Sequence, residues 1–239
     1  EPCLHITEGE GIAINCGDYA LMLVSAAVAN DPDLDAPLKV RLIQELTSMT
    51  ARTIEGQALD LGWVRDGRFD LSIEDYLAMA THKTAFYSGA TPLACGAIIG
   101  DGSEEQISAL RTFGLHTGLA FQIQDDLLNL VGKKEARNKD FRCDITEGKR
   151  TLVAVHALNY ADDASHGELM DILTSGTTDP DRLDRAVQIF ERTGAIAYAH
   201  SYSLDLTAHA KAALESVELD PQCKDLLLGM ADFFVERLN

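Results

Sequence analysis

The sequence predicts an all-α protein. Three observations predict it: nearly every long segment has helical rather than alternating apolar periodicity, helix-start signals recur along the chain, and no run of alternating β-branched residues stands out. A first helix is expected over 15–29. Pro37 then suits the first turn of a second helix, in which Leu38, Leu42, Leu46 and Met49 follow at spacings of four, four and three. Ser72-x-x-Asp75 has the form of a capping box and opens a helix over 74–99, where Pro92 predicts a kink. Ser103-x-x-Gln106 opens another that runs to about Leu130. Further helices are expected over 149–160, 166–174, 180–194, 194–216 and 221–237. The connectors, such as "NDPDLDAP", "WVRDGRFD" and "SGTTDPD", are short and rich in turn residues. The expectation is one domain over 1–239 with about eight or nine helices.

Charge narrows the partners. The chain has 239 residues, with 38 Asp and Glu against 20 Lys and Arg and a formal net charge of -18. Such a field repels a polyanion, which argues against a nucleic acid partner but allows a small anion where a few lysines are focused in one cleft. The five cysteines (Cys3, Cys16, Cys95, Cys143, Cys223) form no CxxC pair. They read as reduced thiols, and a cytoplasmic protein is expected. The apolar runs at 20–29 and 89–100 are shorter than the roughly 20 residues of a spanning helix, so no transmembrane segment is expected.

The stretch Gly118 to Asn129, "GLAFQIQDDLLN", sets two adjacent carboxylates in an otherwise apolar helical pattern. Buried charge is costly unless it is paired. Spacings of four, three and four put Gly118, Gln122, Asp125 and Asn129 on one polar face, while Phe121, Ile123, Leu127 and Leu128 are apolar. Such a stripe suits a cavity lining, and Asp125, Asp126 and Asn129 offer hard oxygen ligands for Mg2+. A solvated acidic pair is the competing reading. Beyond the stripe come Lys139 and Lys149, the latter within Glu147-Gly148-Lys149-Arg150-Thr151. Lysines delivered by a glycine turn beside a carboxylate face are what a magnesium-diphosphate site needs, although ordinary surface lysines would look the same. In "THKTAFY", Lys83, Thr84 and Tyr87 sit mid-helix, where a lysine must either extend to solvent or meet an anion.

Taken in order, "GDYALML", "EGQALDLGW", "HKTAFYSGA", "GLAFQIQDDLLNLVG", "KDFRCDITEGKRTL" and "FFVERLN" resemble the trans-polyprenyl diphosphate synthases. The resemblance implies the isoprenoid synthase fold, a helical bundle around a central cavity, usually as a homodimer. It implies condensation of an allylic diphosphate with isopentenyl diphosphate, to a product of the geranylgeranyl or farnesyl class. Asp125, Asp126 and Asn129 match the second aspartate-rich motif, one metal site of the two or three Mg2+ ions expected with substrate. Lys83, Lys139 and Lys149 match the lysines that hold the allylic diphosphate. Thr84, Tyr87 and Gln122 match groups facing the developing carbocation, and Gln57 and Asp60 match a pair at the cavity wall. Lys83, Thr84, Gln122 and Asp125 are the expected catalytic residues. The sequence begins at "EPCLH", so the family's first aspartate-rich motif, its arginine pair and its N-terminal helices have no counterpart here. A non-catalytic subunit of a heteromeric synthase and a terpene cyclase of the same fold are the alternatives.

Overall fold

The computed structural model describes residues 2–131 and 141–236. Among them every regular element is a helix, as the periodicity predicts. The chain falls into two compact units, 1–49 and 50–239. The first holds a single turn, α1 (Leu4–Thr7), the long helix α2 (Glu10–Asn30) and the start of α3 (Ala36–Arg65). α2 begins five residues earlier than expected, because Gly11 lies within the helix instead of breaking it. With 21 residues, none of them buried, α2 is by length and composition apolar enough to cross a membrane, which the run of 20–29 alone does not predict.

The second unit starts within α3 and builds the core. α4 (Ile73–Ala80) opens on the expected capping box: the Asp75 N–H donates to Ser72 Oγ at 3.1 Å, and the Ser72 N–H donates to the Asp75 carboxylate at 2.9 Å. The same helical rod continues as ten residues of π-helix, Thr81–Ala90, and then as α5 (Thr91–Ile99). The kink expected at Pro92 is replaced by this widened segment. Pro92 falls in the first turn of α5, where its missing N–H is tolerated. Just before it the Thr91 N–H reaches back five residues to Phe86 O, and the Ser88 hydroxyl donates to Thr84 O.

α6 (Glu104–Val131) opens on the second expected box, with Ser103 and Gln106 exchanging hydrogen bonds at 2.8 and 3.2 Å. A short turn, α7 (Cys143–Thr146), and α8 (Leu152–Tyr160), α9 (Asp163–Thr174), α10 (Pro180–Arg192), α11 (Ala195–Glu215) and α12 (Pro221–Glu236) complete it. Thr151 and Asp162 cap α8 and α9 by accepting from the Ala154 and Ser165 N–H groups. The Asp162 cap starts α9 three residues before the expected position. One continuous cluster, with Ile123, Leu127, Leu152, Leu169, Ile189 and Phe190 at its centre, joins α6 to α8, α9, α10 and α11.

α6 meets the π-helical segment backbone to backbone. A Cβ on Gly89 would run into Gly114 O, a Cβ on Gly114 would lie 2.7 Å from Ala90 N, and one on Gly118 would lie 2.9 Å from Ala85 Cα. None of these neighbours is a side chain end that could swing away. Gly114→Ala is therefore expected to force the two helices apart and to cost about 1–3 kcal/mol, the usual range for overpacking a filled core. Urea unfolding of the variant checks this; an unchanged midpoint would mean that the two backbones have room for a methyl group between them.

Candidate active site

The close crossing sets the side chains on either side of it in register. Thr84, 4% exposed, donates through its hydroxyl to Gln122 Oε1 at 2.8 Å. Gln122 Nε2 donates in turn to Asp126 Oδ1 at 2.8 Å, and the Tyr76 hydroxyl, from α4, donates to Asp126 Oδ2 at 3.0 Å. Lys83 pairs with Asp60 of α3. That approach is possible because Gly56 lies against the Lys83 backbone, where a Cβ would come within 2.7 Å of Lys83 Cα.

The turn carrying Lys149 closes the other side. Lys149 Nζ lies 2.6 Å from Asp144 Oδ1 and 3.3 Å from Glu147. Gly148 has φ +61, and a Cβ there would strike Leu173 O, so only glycine fits. Arg150 is buried: its guanidinium stacks on Phe69 at 3.9 Å and donates to Arg68 O at 2.7 Å and Gly148 O at 2.6 Å, pinning the loop. Asp144 is held as well. Its N–H donates to Asn129 Oδ1 at 3.3 Å, while Asn129 Nδ2 lies 3.3 Å from Cys143 Sγ.

These groups line a narrow polar cleft of about 40 Å³, shared by Asp60, Tyr76, Lys83, Thr84, Gln122, Asp126, Lys149 and Arg150. It adjoins a larger, mostly apolar pocket of about 510 Å³. Ile54, Ala58, Leu61 and Tyr87 contribute to that pocket, and Lys83, Thr84 and Gln122 belong to both.

The structure thus brings together Lys83, Thr84, Gln122, Asp126 and Lys149, with Tyr87 in the adjoining pocket. On α6 the side facing the cleft is Gln122 and Asp126, four apart; Asp125 is exposed and does not line it. Asn129 is engaged with the α7 turn. Lys139 lies outside the described residues. Sequence reasoning missed Tyr76, Asp144 and Arg150. The signals were there: Tyr76 is seven residues before Lys83, on the same helix face, and Asp144 is five before Lys149.

Burial dominates the electrostatics. Desolvation, aided by the charge of Asp144, raises the Asp126 carboxyl to a pKa of about 7, against the opposing pull of Gln122, Tyr76 and Lys149. Burial pushes Tyr76 well above a phenol's usual range, with the Asp126 charge adding to it. For Lys149, burial lowers the pKa, but the hydrogen bond and charge of Asp144 and then Glu147 outweigh it, and the net shift is upward. Asp126, driven toward its neutral form beside the charge of Asp144, gives two hard-oxygen groups of the kind that Mg2+ takes together with substrate phosphates; among the described residues no group of three or more His, Cys, Asp or Glu side chains gathers to hold a metal on its own.

Among the described residues, then, an all-helical scaffold carries a carboxylate and lysine cleft that opens on a mostly apolar pocket. The family model for polyprenyl synthetase matches residues 1–190. The chain is 38% identical over 237 residues to a short chain isoprenyl diphosphate synthase of Methanothermobacter thermautotrophicus, an alignment covering 99% of this chain and 70% of that protein. Its fold superposes on a geranylgeranyl pyrophosphate synthetase of Pyrococcus horikoshii with a TM-score of 0.91 and 30% identity, covering 99% of this chain and 70% of the other. On a geranylgeranyl pyrophosphate synthase of Corynebacterium glutamicum, complexed with isoprenyl diphosphate and magnesium, the TM-score is 0.87 at 29% identity, over 96% and 64% of the two chains. The chain belongs to the polyprenyl synthetase family and is a prenyltransferase.

Asp126 also makes stability depend on pH. Its folded pKa of about 7 stands above the ordinary 3.8. The stability it contributes is therefore full below about pH 4 and is lost as pH rises to about 7, at no more than about 1.4 kcal/mol per pH unit. Asp126→Asn is expected to flatten that slope in chemical denaturation without ligand; an identical slope in the variant would show that Asp126 titrates as an ordinary carboxyl.

Proposed function

We propose that this chain forms the allylic-diphosphate half of a trans-prenyltransferase site, extending an allylic diphosphate with isopentenyl diphosphate to a product of the geranylgeranyl or farnesyl class. The observation that carries the reading is the convergence of Lys83, Gln122, Asp126 and Lys149, from separate helices and a loop, on a polar cleft that shares three residues with an apolar pocket. A diphosphate head suits the first and an isoprenoid chain the second.

In this reading Asp126, beside Asp144, would hold Mg2+, while Asn129 keeps the Asp144 turn in place. The metal, when bound, supplies Lewis-acid stabilisation of the diphosphate leaving group. Lys83 and Lys149 supply the remaining positive charge, and each is paired with a carboxylate in the cleft. As the head enters, the lysines would exchange Asp60 and Asp144 for phosphate oxygens. The allylic C–O bond then breaks with both electrons leaving on the diphosphate. The oxygens of Thr84, Gln122 and Tyr87 face the carbon that becomes positive, and Ile54, Ala58 and Leu61 keep water from it. The isopentenyl double bond attacks that carbon, and the resulting cation passes one proton to the departed diphosphate, which completes the longer chain. Lys139 would add a further phosphate contact. Five cysteines that form no disulfide support a cytoplasmic setting, and the exposed apolar length of α2 supports a homodimer.

Steady-state assays of the full-length enzyme with labelled isopentenyl diphosphate test this. Chelation of Mg2+ is expected to abolish product. Lys83→Ala is expected to raise KM for the allylic diphosphate by about 10- to 100-fold, the range for removing a charge-assisted hydrogen bond from a closed site. Product formed at the wild-type KM by this variant would take Lys83 out of the diphosphate site.

A further inference from the structure

Tyr76 is the bulkiest of the fully buried side chains among the described residues, 1% exposed. A phenylalanine would fill the same space in the α4 core. Burying the additional hydroxyl is unfavourable unless it is hydrogen-bonded, and its bond is to Asp126 Oδ2. The geometry of that bond has a consequence for the carboxylate. Asp126 is fixed at both oxygens, by Tyr76 directly at Oδ2 and by Thr84 acting through Gln122 at Oδ1. Both routes start from one helical rod, which also carries Lys83. Each carboxylate oxygen has two acceptor sites, so one remains on each for a cation.

We propose that Tyr76 is a positioning residue for cation binding: its hydroxyl fixes the rotation of the Asp126 carboxylate, so that the remaining acceptor sites face the cleft before the metal arrives. The proposal rests on the magnesium-diphosphate reading above. It ties the metal carboxylate to the helix that carries the phosphate lysine, so the two halves of the head-group site are set by one rigid element. Outer groups that orient a metal ligand in this way typically account for 10- to 100-fold in affinity.

Tyr76→Phe in the full-length protein removes the hydroxyl and keeps the ring. With Mn2+ as the probe, titrated by electron paramagnetic resonance in the presence of inorganic pyrophosphate, the variant is expected to bind about 10- to 100-fold more weakly. At saturating Mg2+ its KM for the allylic diphosphate is expected to stay at the wild-type value, a separation that mere loosening of the core would not give. In an Asp126→Ala background the Tyr76→Phe change is expected to weaken Mn2+ binding no further, and this cycle decides the matter even where Tyr76→Phe lowers the melting temperature. Equal Mn2+ affinity in wild type and Tyr76→Phe, or a full additional weakening in the Asp126→Ala background, overturns the role of Tyr76 alone. Wild-type protein that leaves Mn2+ free in the presence of pyrophosphate overturns the metal reading, and this proposal with it.

Discussion

The contact between Gly89 and Gly114, continued by Gly118 against Ala85, is the constraint on which the site depends. With no side chain between the two backbones, the π-helical segment and α6 approach more closely than the usual 8–10 Å between packed helices would allow for larger residues. That closeness puts the short Thr84 hydroxyl within reach of Gln122 and makes the Thr84–Gln122–Asp126 chain possible. Widening by one methyl would not remove a polar group from the cleft; it would move donors and acceptors past hydrogen-bond range. Packing without side chains is thus what places the polar side chains.

The second constraint is charge. A chain of net charge -18 repels small anions, so any cations that would hold one have to be local to the cleft. They are also kept paired: Lys83 with Asp60, Lys149 with Asp144 and Glu147. An unpaired ammonium in a half-buried cleft would lose its proton or draw in water, whereas a paired one can exchange a carboxylate for a phosphate oxygen at small net cost. Arg150 lines the same cleft, but Nε and Nη1 donate to two backbone carbonyls and its plane stacks on Phe69, so it also pins the loop. A positive charge near the site is not by that fact a substrate contact.

Much of this was legible in the sequence. The two capping boxes, the helix through Leu130 and the residues Lys83, Thr84, Gln122 and Lys149 follow from local spacing, and local spacing is what a sequence displays directly. What was not legible depends on contacts distant in sequence or on departures from ideal geometry. Helical spacing alone put Asp125 with Gln122, but the partner that selects the inward carboxylate is Tyr76, 50 residues away, and it selects Asp126. Pro92 reads as a kink because the rule assumes an α-helix before it, and the preceding turns are π-helical instead. Asn129 has ligand chemistry and ligand spacing, yet its amide is used on the Asp144 turn.

The two cavities explain why such a site would sit at this place in the bundle. Heterolysis of an allylic C–O bond needs opposite environments within a few ångströms: strong positive charge at the leaving oxygens, and apolar walls at the carbon, where a water molecule would end the reaction. A helix cannot supply both on one side chain, but it can on neighbouring ones. Lys83, Thr84 and Tyr87 span the two within little more than one turn: the lysine and the threonine line both cleft and pocket, and the tyrosine lies in the pocket. In the proposed function, their spacing along a widened helix would set the distance between head and reacting carbon, and the glycine contact behind them holds that helix close against α6.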